Sequence, residues 1–137
     1  MEIIAVVGEV TGLAPGAYRY LAGGHELQAL NTGDRRAALR RAALDREWVG
    51  QGAVVLVLAA VYQRTVQKYG DRGRRYVHIE VGHVAQNVYL QAASLGLGTV
   101  IVGAFDDDEV RRVLDLGEGE RPLALMPVGR KASTATR

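Results

Sequence analysis

Apolar and polar residues alternate along this chain in different rhythms, and each rhythm predicts an element. Ile3 to Val7 is a β-branched run closed by Gly8, and Gly12, Pro15 and Gly16 punctuate the chain before Ala17-Tyr18-Arg19-Tyr20, a short strand. Gly23-Gly24 turns the chain toward His25 to Leu30, so the opening reads as a small antiparallel layer. From Asp34 the spacing becomes helical: Ala37, Ala38, Leu39, Ala42, Ala43 and Leu44 recur at 3.6-residue steps with Arg on the outer face. That pattern predicts a helix from an Asp34 N-cap to about Val49, before Gly50 and Gly52. Ala53 to Ala60 is continuously apolar, as expected of a strand buried on both faces.

Arg74 to Leu95 is too long for a strand, contains no Pro, and predicts a long central helix. Glu80, His83, Asn87, Gln91 and Ser94 recur at steps of three and four and form one polar stripe, expected to act as a hydrogen-bonded seam. Tyr76, Val77, Ile79, Val84, Val88, Tyr89, Leu90 and Ala93 cover the other faces. So much apolar surface predicts a helix sandwiched between the sheet and a partner chain. Gly96 and Gly98 end it, and Thr99 to Val102 is expected as a short buried strand. Asp106 and Glu109 make a capping box for a helix through Leu116, Pro122 to Val128 is the last strand, and positions 132–137 read as a flexible tail after one domain over 1–131.

Composition narrows the function classes. The 137 residues suffice for one core, and a net charge of +2 from scattered basic residues does not call for nucleic acid. Arg supplies fifteen of the seventeen cations, and guanidinium forks suit phosphate and carboxylate. Without cysteine, disulfides, thiolate catalysis and sulfur-ligated metals are excluded. The first residues lack the basic and apolar regions of a signal peptide, and the longest apolar stretch, Ala53 to Val61, is far short of the roughly twenty residues that cross a bilayer. A cytoplasmic protein without a membrane partner is the expectation.

Several residue groups invite chemistry. Gly96-Leu97-Gly98 follows a helix and opens a strand, the reverse of a dinucleotide fingerprint, so a helix C-cap is the reading adopted. His78 and His83 are five apart and point in different directions on a helix, so with Glu80 they are not expected to hold a metal. Arg64, Lys68, Arg72, Arg74 and Arg75, with Tyr62, Tyr69 and Tyr76 interleaved at sevenfold spacing, read as a cationic and aromatic loop. It is either a solvated face or a place for an anionic or planar ligand. Lys68-Tyr69 is the only adjacent Lys and Tyr pair and can move protons if Lys68 is desolvated. Gly103-Ala104-Phe105 leaves a strand with two small residues whose amides a flat ligand can approach, and Arg130 with Lys131 follows a strand where a phosphate can be gripped.

Lys68-Tyr69-Gly70-Asp71-Arg72-Gly73, Arg75-Tyr76, Glu80-Val81-Gly82-His83-Val84-Ala85-Gln86-Asn87, Leu95-Gly96-Leu97-Gly98 and Gly103-Ala104-Phe105-Asp106-Asp107 occur in this order, followed by Arg121-Pro122-Leu123 and Pro127-Val128-Gly129-Arg130. Together they resemble SagB-type dehydrogenases of the nitroreductase family, over about Ile3 to Lys131. The resemblance implies an α+β nitroreductase-like fold, an antiparallel or mixed sheet with a long central helix, and a homodimer with FMN at the subunit interface. It further implies two-electron chemistry at flavin N5, either nitroreductase-like, with NAD(P)H as electron donor and a small-molecule substrate, or azoline dehydrogenase-like, with a peptide azoline as substrate. Carried over residue by residue, Ile101, Val102, Gly103 and Ala104 lie against the isoalloxazine ring, Arg130 and Lys131 approach the phosphate, and Lys68 and Tyr69 deprotonate the substrate. The family's Arg-Arg-Ser-x-Arg segment and Pro-Ser-x-Gly loop have no counterpart here, so the N-terminal part of the domain is expected to be missing. Each lost charge-assisted phosphate contact removes roughly 1.5 to 3 kcal/mol. Two alternatives follow: a flavin-free dimer with a structural or interaction role, and half of a split flavin site.

Overall fold

The computed structural model describes residues 1–132; positions 133–137, most of the expected tail, lie outside the described residues. Six strands, β1 (Glu2–Val7), β2 (Gly16–Leu21), β3 (Glu26–Thr32), β4 (Val54–Val61), β5 (Leu97–Thr99) and β6 (Glu120–Arg130), form one sheet in the order β3-β2-β1-β4-β6-β5. Every pairing is antiparallel. The unbroken apolar run of β4 has its reason in this topology. Val55, Val57 and Ala59 enter one core and Leu58 the other, and in β6 Leu125 and Met126 divide in the same way. A strand covered on both sides has no position where a polar residue is favoured.

One face of the sheet is covered by α1 (Arg36–Ala42), α2 (Glu47–Gln51) and α5 (Asp107–Leu114), through Leu39, Val49, Val110 and Leu114, all fully buried. The other is covered by α4 (Arg72–Ser94), whose Val81, Val84, Ala85, Val88 and Tyr89 pack on Leu58, Ala124 and Met126. Asp106 caps α5 as expected, its Oδ1 accepting the Glu109 N–H at 2.9 Å.

Three expectations are corrected. The helix predicted from Asp34 to about Val49 is two pieces, because Leu44 and Asp45 take left-handed φ values of 55° and 54°. Leu39, Ala42, Ala43 and Val49 are all buried, so the helical rhythm stays in phase across the break and hides it. Asp34 is not the N-cap residue, although its Oδ1 accepts the Arg36 N–H at 2.9 Å. The cationic loop after β4 is a helix, α3 (Tyr62–Tyr69). The sevenfold Tyr spacing is two helical turns, and the three Tyr side chains engage the α3–α4 junction: Tyr69 meets Tyr76 edge to face at 5.2 Å, and Tyr62 meets His78 at 5.6 Å. The polar stripe on α4 is not a hydrogen-bonded seam within the chain. Glu80, His83, Asn87, Gln91 and Ser94 are exposed, and among the described residues only the Ser94 hydroxyl finds a partner, donating to the Gln91 carbonyl.

Candidate functional site

Leu97 to Thr99 pairs with the end of β6, with Leu97 opposite Arg130 and Thr99 opposite Val128. Gly96, at φ 71°, closes α4 and swings the chain onto this sheet edge. The expected buried strand from Thr99 to Val102 is therefore corrected. As the outermost strand β5 has a neighbour on one side only, Val100 and Ile101 turn outward at 41% and 42% exposure, and only Val102, bridged to Leu125, enters the core. The Ile101 N–H donates to the Tyr89 hydroxyl at 2.7 Å, tying the segment to α4. Beyond it Gly103 and Ala104 are exposed, and their amides donate to no group among the described residues. A Cβ at Gly103 meets nothing within 4 Å, so the backbone there is bare.

Two clefts flank this segment. One, of about 280 Å³, is bounded by Arg130, Gly98, Thr99, Pro127 and Trp48. The other, of about 150 Å³, runs from Val100 to Ala104 under Arg46 and Trp48. They meet at Trp48 and Val100, so Arg130 and the Ile101–Ala104 backbone open onto one continuous surface. Lys131 follows, its side chain packed close over Gly98. The Thr99 hydroxyl in the wall of the larger cleft is buried and has no hydrogen-bond partner among the described residues.

The chain does not bring Lys68 and Tyr69 to this surface. Tyr69 packs on Tyr76 near the start of α4, whereas Ile101 is held by Tyr89. Those two tyrosines are thirteen residues apart on one helix, about 20 Å at 1.5 Å per residue. Lys68 is exposed, its ammonium 5.1 Å from the centre of the Tyr69 ring. His78 and His83 are exposed as well, and His78 Nε2 hydrogen-bonds the Tyr62 hydroxyl, whose pKa burial raises. Among the described residues no cluster of His, Asp or Glu is placed to hold a metal, and no helix is long and apolar enough to cross a membrane.

Sequence reasoning missed Arg46 and Trp48, which no local pattern connects to a loop fifty residues on. It also missed two ion clusters that fix the scaffold. Arg36, nearly buried, donates to both Asp34 oxygens, to Glu9, and to the Gly52 carbonyl at 2.8 Å, which pins α1 to the turn before β4. Hydrogen bonds from Arg36 hold the Asp34 carboxyl below its ordinary range. Arg19 joins Glu2 and Glu120 across the sheet, and Arg64 of α3 reaches Glu2. Arg19 lowers the Glu120 pKa; for Glu2 burial pulls upward, but the bonds from Arg19 and Arg64 outweigh it and the net shift is downward.

The sequence profile of the nitroreductase family matches residues 9–130. A provisionally named nitroreductase of Methanocaldococcus jannaschii is 50% identical over 131 residues, 96% of this chain and 65% of that protein. A solved structure of a provisionally named nitroreductase from Anabaena variabilis is 31% identical with a TM-score of 0.91, over 96% of this chain and 27% of that one. The NADPH:FMN oxidoreductase of Vibrio harveyi, solved with NAD+, is 27% identical with a TM-score of 0.63, over 75% of this chain and 48% of that one. In each case the chain spans less than two thirds of the relative's own length.

Proposed function

Since the chain belongs to the nitroreductase family, we propose that it is an FMN-dependent oxidoreductase of the SagB dehydrogenase type, working as a homodimer in which the azoline substrate gives its electrons to FMN and a separate two-electron acceptor takes them away. The observation that carries this reading is the bare backbone of Gly103 and Ala104, with two unengaged amides, sharing one surface with Arg130. A flat ring needs an approachable backbone, and a phosphate needs a cation that stays charged. The Thr99 hydroxyl between them is a buried polar atom with no hydrogen-bond partner among the described residues. These residues fit FMN.

When bound, FMN supplies two-electron transfer through N5. In this proposal Arg130, helped by Lys131, binds the phosphate; the Ile101–Ala104 backbone supports the ring and offers its amides to it; Val100 and Ile101 keep water from one side. Lys68 would be the base that takes a carbon-bound proton from an azoline ring of a small molecule or peptide as that ring gives up a hydride to the flavin, and Tyr69 would lie against the protonated Lys68. Because Tyr69 packs on Tyr76, about 20 Å along α4 from the Tyr89 that holds Ile101, the base at each site would come from the second copy. That role also explains the exposed apolar side of α4: Ile79 and Leu90, turned away from the sheet, are 49% and 60% exposed and require a cover.

Equilibrium dialysis with FMN, read by flavin absorbance, is the direct test. Saturable binding supports the reading, and its absence leaves an interaction dimer or half of a split site as the better account. Lys68→Ala is expected to retain bound FMN and lose at least a hundredfold in azoline dehydrogenation; unaltered turnover removes Lys68 from the mechanism.

A further inference from the structure

The stretch from Tyr62 to Ile79 holds five basic side chains, Arg64, Lys68, Arg72, Arg74 and Arg75, and one acidic one, Asp71. The rest of the chain carries twelve basic and fourteen acidic side chains, so this stretch alone makes the molecule basic. Arg64 is paired with Glu2, and Arg74 lies over the Tyr62 ring at 5.5 Å. Arg72 and Arg75 are exposed, and no carboxylate or aromatic ring engages them among the described residues. They line a hollow of about 370 Å³ together with Asp71.

This placement is electrostatically adverse. Arg72, Arg74 and Arg75 crowd the first turn of α4, where the helix dipole disfavours cations, and no acidic residue stands in that turn. Helix α5 has the favourable order, with Asp107, Asp108 and Glu109 at its start and Arg111 and Arg112 at its end. Arg72 and Arg75 are also neighbours on one helix face, so they repel each other. Gly73 between them fixes their position: a Cβ there would stand 3.0 Å from the Thr65 carbonyl and the Val66 Cα, so α3 and α4 cross backbone to backbone. Tyr76, one turn beyond Arg72, meets the Tyr69 ring, and the Lys68 ammonium lies 5.1 Å from the centre of that ring. Two uncompensated guanidiniums, an aromatic pair and Lys68 thus share one helix junction. Repulsion with no internal partner is relieved by an external anion.

We infer that Arg72 and Arg75 are specificity-determining residues: they bind a carboxylate of the substrate, so the peptide whose azoline ring Lys68 deprotonates carries an acidic side chain beside that ring. This rests on the proposed role of Lys68 and adds the substrate's charge to it. A guanidinium fork meets a carboxylate in two parallel hydrogen bonds, which fixes the orientation of the peptide as well as its presence. Both arginines come from the same copy as Lys68, so one junction presents base and anchor together.

Two measurements on the full chain test this. Fluorescence anisotropy follows rhodamine-labelled tetraglutamate and tetraglutamine peptides. Wild-type protein is expected to bind tetraglutamate about tenfold more tightly, the scale of two exposed ion pairs, and Arg72→Gln with Arg75→Gln to lose that preference. Arg41→Gln with Arg112→Gln, an equal loss of charge elsewhere on the surface, is expected to keep it. FMN-loaded protein then oxidises two thiazoline peptides that differ only in Glu or Gln beside the ring, with dichlorophenolindophenol as electron acceptor. The kcat/KM ratio of the Glu over the Gln peptide is expected to fall about tenfold in the Arg72→Gln, Arg75→Gln variant. Arg72→Glu with Arg75→Glu is expected to favour a Lys-flanked peptide instead. Circular dichroism checks that each variant is folded, which the exposure of both side chains favours. If wild-type protein treats the acidic and neutral peptides alike, or if the Arg41 and Arg112 changes remove the preference as fully, the subsite falls while FMN and Lys68 stand. If wild-type protein binds no FMN and oxidises neither thiazoline yet prefers tetraglutamate through Arg72 and Arg75, the function proposed above falls and the two arginines keep their ligand.

Discussion

Gly103 and Gly8 show how differently two glycines on one chain are constrained. The space over Gly103 is open, so Gly103→Val is expected to leave the melting temperature within about 2 °C, a shift of well under 1 kcal/mol for a domain this size. The added branches would occupy the room assigned to the ring, and FMN affinity should fall by about a hundredfold or more, measured by dialysis. At Gly8 a Cβ would stand 1.8 Å from the Arg36 Nε, and that guanidinium is held by Asp34, Glu9 and the Gly52 carbonyl. Gly8→Ala is accordingly expected to cost about 1–3 kcal/mol in urea unfolding, with little effect on any ligand. Sequence reading found the first glycine as one of two small residues leaving a strand, a place the family resemblance also marks, and had no means of finding the second. The partner of Gly8 is a side chain on another element, and nothing in a Val-Gly-Glu triplet indicates it.

Among the elements, those with a strong local signal were legible. The apolar run of β4, the length of α4 and the Asp106 capping box each declare themselves within a few residues. The break between α1 and α2 was not, because the helical rhythm continues in phase across it. Helix α3 was hidden by its composition: exposed Arg, Gln and Lys suit a loop as well as the outside of a helix. Besides its aromatic contacts with α4, α3 carries Arg64, which reaches the Glu2 carboxylate that also binds Arg19, which in turn binds Glu120. Glu2, Glu120 and Asp34 all have folded-state pKa values below the ordinary carboxylate, so their contribution is full above the unfolded value and disappears as pH falls through the folded one. Thermal melts between about pH 6 and pH 3 should therefore show stability dropping chiefly below about pH 4.5. Glu120→Gln should flatten that slope, and an unchanged slope would relieve this cluster of the role.

For the whole molecule, the sheet order could not be read from the sequence. Placing β6 between β4 and β5 brings the end of β6 beside the turn after α4, and so Arg130 beside residues 97–104. The resemblance named both ends of that arrangement in advance, but only the three-dimensional arrangement supplies Arg46 and Trp48, since α2 reaches the cleft by packing against β6. In the proposed homodimer the exposed side of α4 is covered by the second copy. Ile79→Glu with Leu90→Glu should convert a dimer to monomer in analytical ultracentrifugation while far-ultraviolet circular dichroism is retained; a wild-type chain that sediments as a monomer throughout would remove the homodimer from the proposal.

The span of α4 between Tyr76 and Tyr89 has a consequence for genetics as well as for chemistry. If base and ring support at each site come from different copies, a Lys68→Ala chain and a Gly103→Val chain, each inert alone, complement one another when co-refolded. In a mixed pair one site receives both intact parts and the other receives both damaged ones. Random pairing of equal amounts then restores about one quarter of wild-type turnover, whereas a chain that completed its own site would give no rescue at any ratio.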